Sequence, residues 1–474
     1  MRKRVVILGG GPCGLSAAWR LTTGAEDIDV VVVEREEEVG GLCRTLAHGD
    51  FRFDLGGHRF ISSDPVLIER IRRLMGEELL LRERKSVIRL EGRDFAYPLS
   101  ASDLLKRLPP GLTLRAFADF LRTGSWRRNG GPPDVSFEDW VVRRFGRTLF
   151  DLFFGPYSEK LWGRPPSRLS ADWAAQRISL LNLGEVALRL LGLGQGTPRT
   201  YSKRYYYPRE GIGQIFRFIA AEVEAGGGLI LRGTRAMSVR SEGGRVVSVE
   251  IDRSDGRFFL YCDYLISTLP LPELIRLFRD KEAHGVRESA TRLQFRSMRF
   301  LNLLIDRPQI SPNTWIYVPE SRYLMTRIQE PKRRSPHSAP PGKTSLMLEI
   351  PCAQGDGLWT ASDDALADRC LRDLDALGIR IRNDVLGCFS TRAVHAYPIY
   401  SLDYRIHRGR LLQFLGRFEN LLSCGRQGTF RYLFMDAAMK MGFSAARCVL
   451  GEADCEELDG IAAEARLIEA GATT

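Results

Sequence analysis

The chain has few of the residues that build metal centres. Six histidines form no pair at zinc spacing, and nine cysteines are scattered singly with no CxxC. That argues against a structural metal, a disulfide framework or a cysteine relay to a cofactor, and it fits a reduced, cytoplasmic setting. No apolar run approaches the roughly 20 residues that span a bilayer, so no transmembrane segment is expected. The opening MRKRVVIL breaks at Gly9 and reads as a first strand, not a signal peptide. Internal repeats are absent. So is any nucleic-acid module, although 69 Lys+Arg against 58 Asp+Glu give a net charge of +11. The basic residues are mostly arginine and spread along the chain. They suit an anionic small-molecule substrate and a solvated basic surface better than nucleic acid.

What is present is concentrated at the N-terminus. RVVIL (4–8) is an unbroken apolar run, followed by Gly9-Gly10-Gly11-Pro12-Cys13-Gly14, the helical pattern LSAAWRL, and IDVVVVE ending at Glu34. The order is strand, glycine turn, helix, strand. Gly9 permits the tight turn, Gly11 lets backbone amides approach a pyrophosphate, and Gly14 lets the helix pack closely on the strand. The helix start offers unpaired N–H groups to phosphates. Glu34, 20 residues after Gly14, is placed for the ribose hydroxyls, with Arg35 beside it. The complete unit indicates a bound dinucleotide.

Beyond Glu34 comes Val39-Gly40-Gly41-Leu42-Cys43-Arg44-Thr45, and then Phe53-Asp54-Leu55-Gly56-Gly57-His58-Arg59-Phe60. These two elements resemble the FAD-binding signature of the amine oxidase and protoporphyrinogen oxidase superfamily. The resemblance implies FAD and not NAD. It puts Gly41, Leu42 and Arg44 along the diphosphate and ring, and Gly56 and Gly57 against the isoalloxazine. His58 would orient the ring or shift protons, unless it is simply a structural histidine. Cys13 and Cys43 fall near the cofactor and are assigned to packing.

At 474 residues the chain exceeds one average core. The expected fold is α/β: a Rossmann-type (GR2-like) FAD-binding domain with an inserted mixed α+β substrate domain that includes a helical subdomain. Residues 1–95 form the first FAD segment. Residues 96–207, with helical stretches such as LRAFADFLRT, FEDWVVRRF and NLGEVALRLLGL, form the helical insertion. Residues 208–290 return to the FAD domain, 291–415 form a β-rich substrate domain, 416–451 make the third FAD segment, and 452–474 are a polar tail. The superfamily resemblance also implies that backbone around Val239 contacts adenine. The basic, Pro-rich EPKRRSPHSAPPGK (330–343) reads as a solvated connector, or alternatively a mobile lid.

Four segments resemble proteins related to UDP-galactopyranose mutase. Tyr157-Ser-Glu-Lys160-Leu-Trp162, with Trp173 and Arg177 following, resembles the mutases' lysine–tryptophan motif and the helix whose Arg grips the sugar nucleotide. Trp315-Ile-Tyr317, with Arg327 ten residues on, resembles a strand pair presenting a Tyr and an Arg to a diphosphate. Ala396-Tyr397-Pro398 resembles another substrate tyrosine. Gly425-Arg426-Gln-Gly428-Thr-Phe-Arg431-Tyr432 resembles the late FAD segment, where Gly425 and Arg426 meet the flavin and Tyr432 the substrate phosphates; Asp436 follows as a cofactor residue. Arginine forks suit a diphosphate, and tyrosines add neutral donors on an aromatic wall. The chain departs from the mutase pattern at Met435-Asp436-Ala-Ala and at Phe95-Ala-Tyr97-Pro98-Leu99-Ser100, which leaves the base and sugar open. Two reactions fit this reading: mutase-type chemistry at flavin N5, with Arg177, Arg327 and His58 as the catalytic residues, or hydride transfer from substrate to oxidised flavin.

Overall fold

The computed structural model describes residues 2–24, 27–97, 106–128, 133–177, 204–279, 281–455 and 458. The side chains of 124–128, 176–177 and 281–282 are excepted. The NLGEVALRLLGL stretch, the connector at 129–132, the segment from Pro98 to Ser100 and most of the tail lie outside these residues.

The first strand, Lys3–Leu8, is the middle of a five-stranded parallel sheet. Its order is Leu421–Ser423, Tyr264–Ser267, Lys3–Leu8, Ile28–Val33, Leu229–Leu231. Strands from all three predicted cofactor segments therefore pair in one sheet. Side chains alternate across a strand, and both faces of this one are covered. Val5 and Ile7 pack in a core with helices Pro12–Gly24, Gly213–Ala225 and Met435–Leu450. Val6 and Leu8 face a second core that takes in Val239, Val249 and Ile251 of a three-stranded antiparallel sheet. Continuous apolar strands such as VVIL are what burial on both faces requires.

The second large sheet has seven strands, in the order Val385–Pro398, Phe295–Ile305, Thr344–Cys352, Arg327–Gln329, Trp315–Tyr317, Ser86–Leu90, Arg93–Ala96. Residues 86–96 hydrogen-bond here through Ser86–Ile88 against Trp315–Tyr317, although the sequence groups them with the first FAD segment. Period-two alternation divides the sheet's faces. Leu301, Leu303, Ile316, Ile328, Leu346, Leu348 and Ile350 pack against Leu366, Cys370, Leu371 and Leu374 of helix Asp363–Ala376. The intervening residues Trp315, Tyr317, Arg327, Gln329 and Glu349 all fall on the opposite face.

Helices dominate the insertion, among them Pro110–Arg128, Phe137–Phe145, Gly155–Trp162 and Ala171–Arg177. Ser136 starts the second of these through a capping box with Asp139. Before the third, Phe150–Phe154 forms a π-helical turn, a distortion frequent near functional sites.

One expectation is overturned. The segment 330–343 is not a solvated connector throughout: only Pro336, His337, Pro341 and Gly342 are exposed. Glu330, Arg334, Ser335 and Ser338 are buried, Arg334 completely so. Glu330 accepts from the N–H groups of Ile310 and Ser311 and from Thr344 Oγ1, and Ser335 donates to the Arg209 carbonyl. Composition misled because Glu330 and Ser335 turn inward to buried partners and Arg334 is enclosed beside them.

Candidate functional site

The two glycine runs of the sequence form one cradle. Gly40 donates its N–H to the Gly10 carbonyl at 2.8 Å. Gly41 has a φ of +54°, and a Cβ there would stand 3.2 Å from Gly11 Cα. At Gly14 a Cβ would overlap the Gly9 carbonyl oxygen at 2.0 Å, so close packing of helix on strand depends on its absence. Glu34 sits buried at the end of its strand, its carboxylate accepting from Gly10 N–H (2.7 Å) and Glu36 N–H (3.0 Å). Arg35 points to solvent and pairs with Glu36. Arg44 also reaches Glu36, at 3.1 Å. Gly425 closes the third side, where a Cβ would lie 2.9 Å from Cys13 Cβ. The Cys13 thiol donates to Cys424 Sγ at 3.3 Å; that contact and burial push it well up and keep it protonated.

The next wall is built on Asp54. Its carboxylate accepts from Thr45 Oγ1 (2.7 Å), Ile212 N–H (3.1 Å) and Tyr207 Oη (2.6 Å). It thus ties the start of the turn Leu55–His58 to Tyr207 and Ile212, ahead of helix Gly213–Ala225. Leu42 packs with Leu55, Met298 and Phe300 beneath this turn. His58 has its Nδ1 buried, and burial together with Arg426, Arg334, Arg327 and Arg59 lowers it to about 3. It is neutral throughout the physiological range.

Opposite stands an aromatic and cationic wall. Register puts Arg327 directly across from both Tyr317 and Glu349. Arg327 Nε donates to Glu349 at 2.7 Å, and Nη2 reaches Tyr397 Oη at 3.2 Å. Burial opposes the charge on Arg327, but Glu349 holds it well above its ordinary value. Gln329 donates to the other Glu349 oxygen and accepts from Trp315 Nε1 at 3.1 Å. Tyr397 and Tyr432 stack with ring centroids 5.9 Å apart, and the Arg426 guanidinium lies 5.0 Å and 4.3 Å from them. Trp162 stands edge-on between Trp173 (4.5 Å) and Tyr397 (5.8 Å). Tyr157 approaches Tyr317 at 6.5 Å. Burial raises both Tyr157 and Tyr397, so both hydroxyls keep their protons.

Residues from distant segments thus meet: His58, Tyr157, Trp162, Trp173, Tyr317, Arg327, Tyr397, Arg426 and Tyr432 belong to one connected cluster. Arg177 ends its helix, and its side chain lies outside the described residues. Val239 is buried in the core that also holds Val33, and bridges to Phe278. Glu349, Gln329, Arg334 and Tyr97, which stacks on Tyr317 at 4.4 Å, were not predicted as site members. Only strand register could have revealed Glu349 as the partner of Arg327. Lys160 donates to the carbonyls of Val318 (2.9 Å) and Glu320 (2.8 Å). It anchors the helix bearing Tyr157 and Trp162 to the strand bearing Tyr317, and burial lowers it to about 7.

The residues present fit FAD. Buried polar atoms with no hydrogen-bond partner among the described residues include Arg44 Nε, His58 Nδ1, Arg426 Nε and Asp436 Oδ1. They are donors for a diphosphate or ring and an acceptor for a hydroxyl. Asp436, second residue of helix Met435–Leu450, is pushed up to about 6 by burial.

Residues 12–450 match the family model described as flavin containing amine oxidoreductase. The chain belongs to that family. Family membership makes it an FAD-dependent enzyme. Similar proteins include protoporphyrinogen oxidase 1 of Spinacia oleracea, 28% identical over 37% of this chain and 32% of that protein. The chain thus matches only about a third of the length of this relative. Coproporphyrinogen III oxidase of Bacillus subtilis is 21% identical over 85% of this chain and 89% of that one. Among solved structures, reduced UDP-galactopyranose mutase superposes with a TM-score of 0.82 at 24% identity, covering 98% of this chain and 99% of the other. Putrescine oxidase bound to putrescine gives 0.65 at 14% identity, covering 95% and 99%. These structural likenesses define the fold.

Proposed function

We propose that this amine oxidoreductase family member acts on an anionic, nucleotide-activated sugar, whose diphosphate is held by Arg327 with Tyr317, Tyr397 and Tyr432. The carrying observation is the cross-strand row Tyr317–Arg327–Glu349, which presents a guanidinium toward Tyr397 inside an otherwise aromatic wall. When bound, reduced FAD supplies a nucleophilic N5. The chain's residues do the rest. Arg327 is oriented by Glu349 and keeps its charge, so it can stabilise the negative charge that develops on a departing diphosphate. Tyr157 and Tyr397 donate hydrogen bonds without ionising, Tyr432 adds a third hydroxyl, and the family resemblance makes Arg177 a second clamp. Trp162 Nε1, buried without a partner among the described residues, is a further donor. Neutral His58 can donate one hydrogen bond and accept another at the ring edge. Tyr97, stacked on Tyr317 with the Arg84 guanidinium 5.1 Å from its ring, extends the aromatic and cationic wall. The departures at Met435-Asp436-Ala-Ala and Phe95–Tyr97 support a nucleotide sugar other than UDP-galactopyranose.

Titrating oxidised and dithionite-reduced enzyme with UDP, dTDP, GDP and ADP, followed by flavin absorbance, tests the site. At least one should bind, and Arg327→Met should weaken it by about 10- to 100-fold, the value of a charge-assisted contact. Unchanged binding in that variant would remove Arg327 from the clamp.

Hydride transfer to oxidised flavin is the second reading. Its support is the likeness to coproporphyrinogen III oxidase across most of the chain.

A further inference from the structure

Arg334 comes from the segment that composition alone places in solvent, yet neither it nor its ion-pair partner Asp54 has any exposed side-chain surface. Its Nη1 stands 3.4 Å from the Gly56 carbonyl and 3.6 Å from Asp54 Oδ2. The guanidinium lies 5.3 Å from the Tyr207 ring and 6.0 Å from Trp315. Both rings touch the same turn: Tyr207 binds Asp54, and a Cβ on Gly57 would meet Trp315 Nε1 at 2.6 Å. Arg334 therefore backs the Leu55–His58 turn from behind.

Its charge is kept, because Asp54 and Glu349 nearby offset its burial, but it is only loosely hydrogen-bonded. Asp54 already accepts three hydrogen bonds from Thr45, Ile212 and Tyr207, which disperse its negative charge, and the Arg334 contact is longer than a hydrogen bond. Nε and Nη2 of Arg334 are buried without partners among the described residues. Burying guanidinium donors without partners is unfavourable unless something else takes them up. Two buried donors are left unused by the described residues. Through the Gly56 carbonyl Arg334 sits two residues from His58, and it is among the cations that keep that imidazole neutral.

We propose that Arg334 is a positioning and electrostatic residue for the flavin: it fixes the Gly56–His58 turn and supplies the positive charge that favours the reduced, anionic cofactor. This rests on the reading that the turn lies against the isoalloxazine. Two-electron reduction of the ring with uptake of one proton leaves a negative charge. A fixed cation nearby raises the tendency to accept those electrons.

The test uses the FAD-loaded full chain and reads the flavin midpoint potential against a reference dye, with FAD content measured alongside. R334M should retain FAD and move the potential more negative, R334K should stay near the parent, and D54N should move it more positive. A purely structural disturbance would move R334M and D54N in the same direction. That outcome, or a folded, FAD-loaded R334M at the parental potential, overturns the proposal. If R334M does not fold, D54N decides: a potential at or below the parent's contradicts the assignment. The readout needs only FAD, so failure of nucleotide-sugar binding leaves it intact.

Discussion

Arg327 and Glu349 face each other across two antiparallel strands with Nε 2.7 Å from the carboxylate, and Glu349 is 1% exposed. Removing one partner leaves the other charge buried alone. Arg327→Met should therefore destabilise the fold by about 3–5 kcal/mol, and the double variant with Glu349→Gln should recover part of that loss. Urea unfolding of the four proteins checks this; additive losses would mean that the pair is not coupled.

The glycine cradle predicts a loss of cofactor without loss of fold. Gly41→Val puts a branched side chain at positive φ against the Gly11 backbone. The purified variant should lack the flavin absorbance of the parent and bind added FAD at least about tenfold more weakly, a difference of about 1.4 kcal/mol. A fully flavinated variant would show that the two glycine runs do not enclose the diphosphate.

His58 sets an acid limit. Its folded value of about 3 lies below the unfolded value of about 6.5, so the folded protein binds fewer protons between them. Its contribution is present above pH 6.5 and is lost as pH falls toward 3. Thermal melts of the parent and of His58→Gln between pH 7 and 4 should converge as the pH drops.

Asp436 works in the opposite sense. Its folded value of about 6 exceeds the unfolded value of about 3.9, so its contribution is present below pH 3.9 and lost as pH rises through 6. Asp436→Asn should stabilise the flavin-free protein above pH 6 and leave it little changed near pH 4. The same change should weaken FAD if Oδ1 accepts from the cofactor, which fluorescence titration measures.

Much of this was legible in the sequence because it rests on local signals. Gly9 to Glu34 spells strand, turn, helix and strand through backbone needs that few residues meet. The late run around Gly425 and Arg426 does the same at the other end of the chain. Tyr157, Tyr317, Arg327, Tyr397 and Tyr432 were recognisable by resemblance to a family pattern. What pairs with them was not. Glu349 lies 22 residues from Arg327, and only strand register brings them together. Arg334 was hidden for a different reason: a Pro- and Lys-rich neighbourhood reads as surface until its buried partners, Asp54 and Gly56, are known.

The central claim is that the arginine and tyrosine wall presents a nucleotide sugar to flavin N5. Anaerobic turnover of a panel of nucleotide sugars, with enzyme either oxidised or reduced by dithionite, measures it most directly. The account predicts sugar isomerisation only in the reduced state, with no net reoxidation of the flavin. Substrate-driven bleaching of the oxidised flavin, without isomerised product in either state, would contradict it.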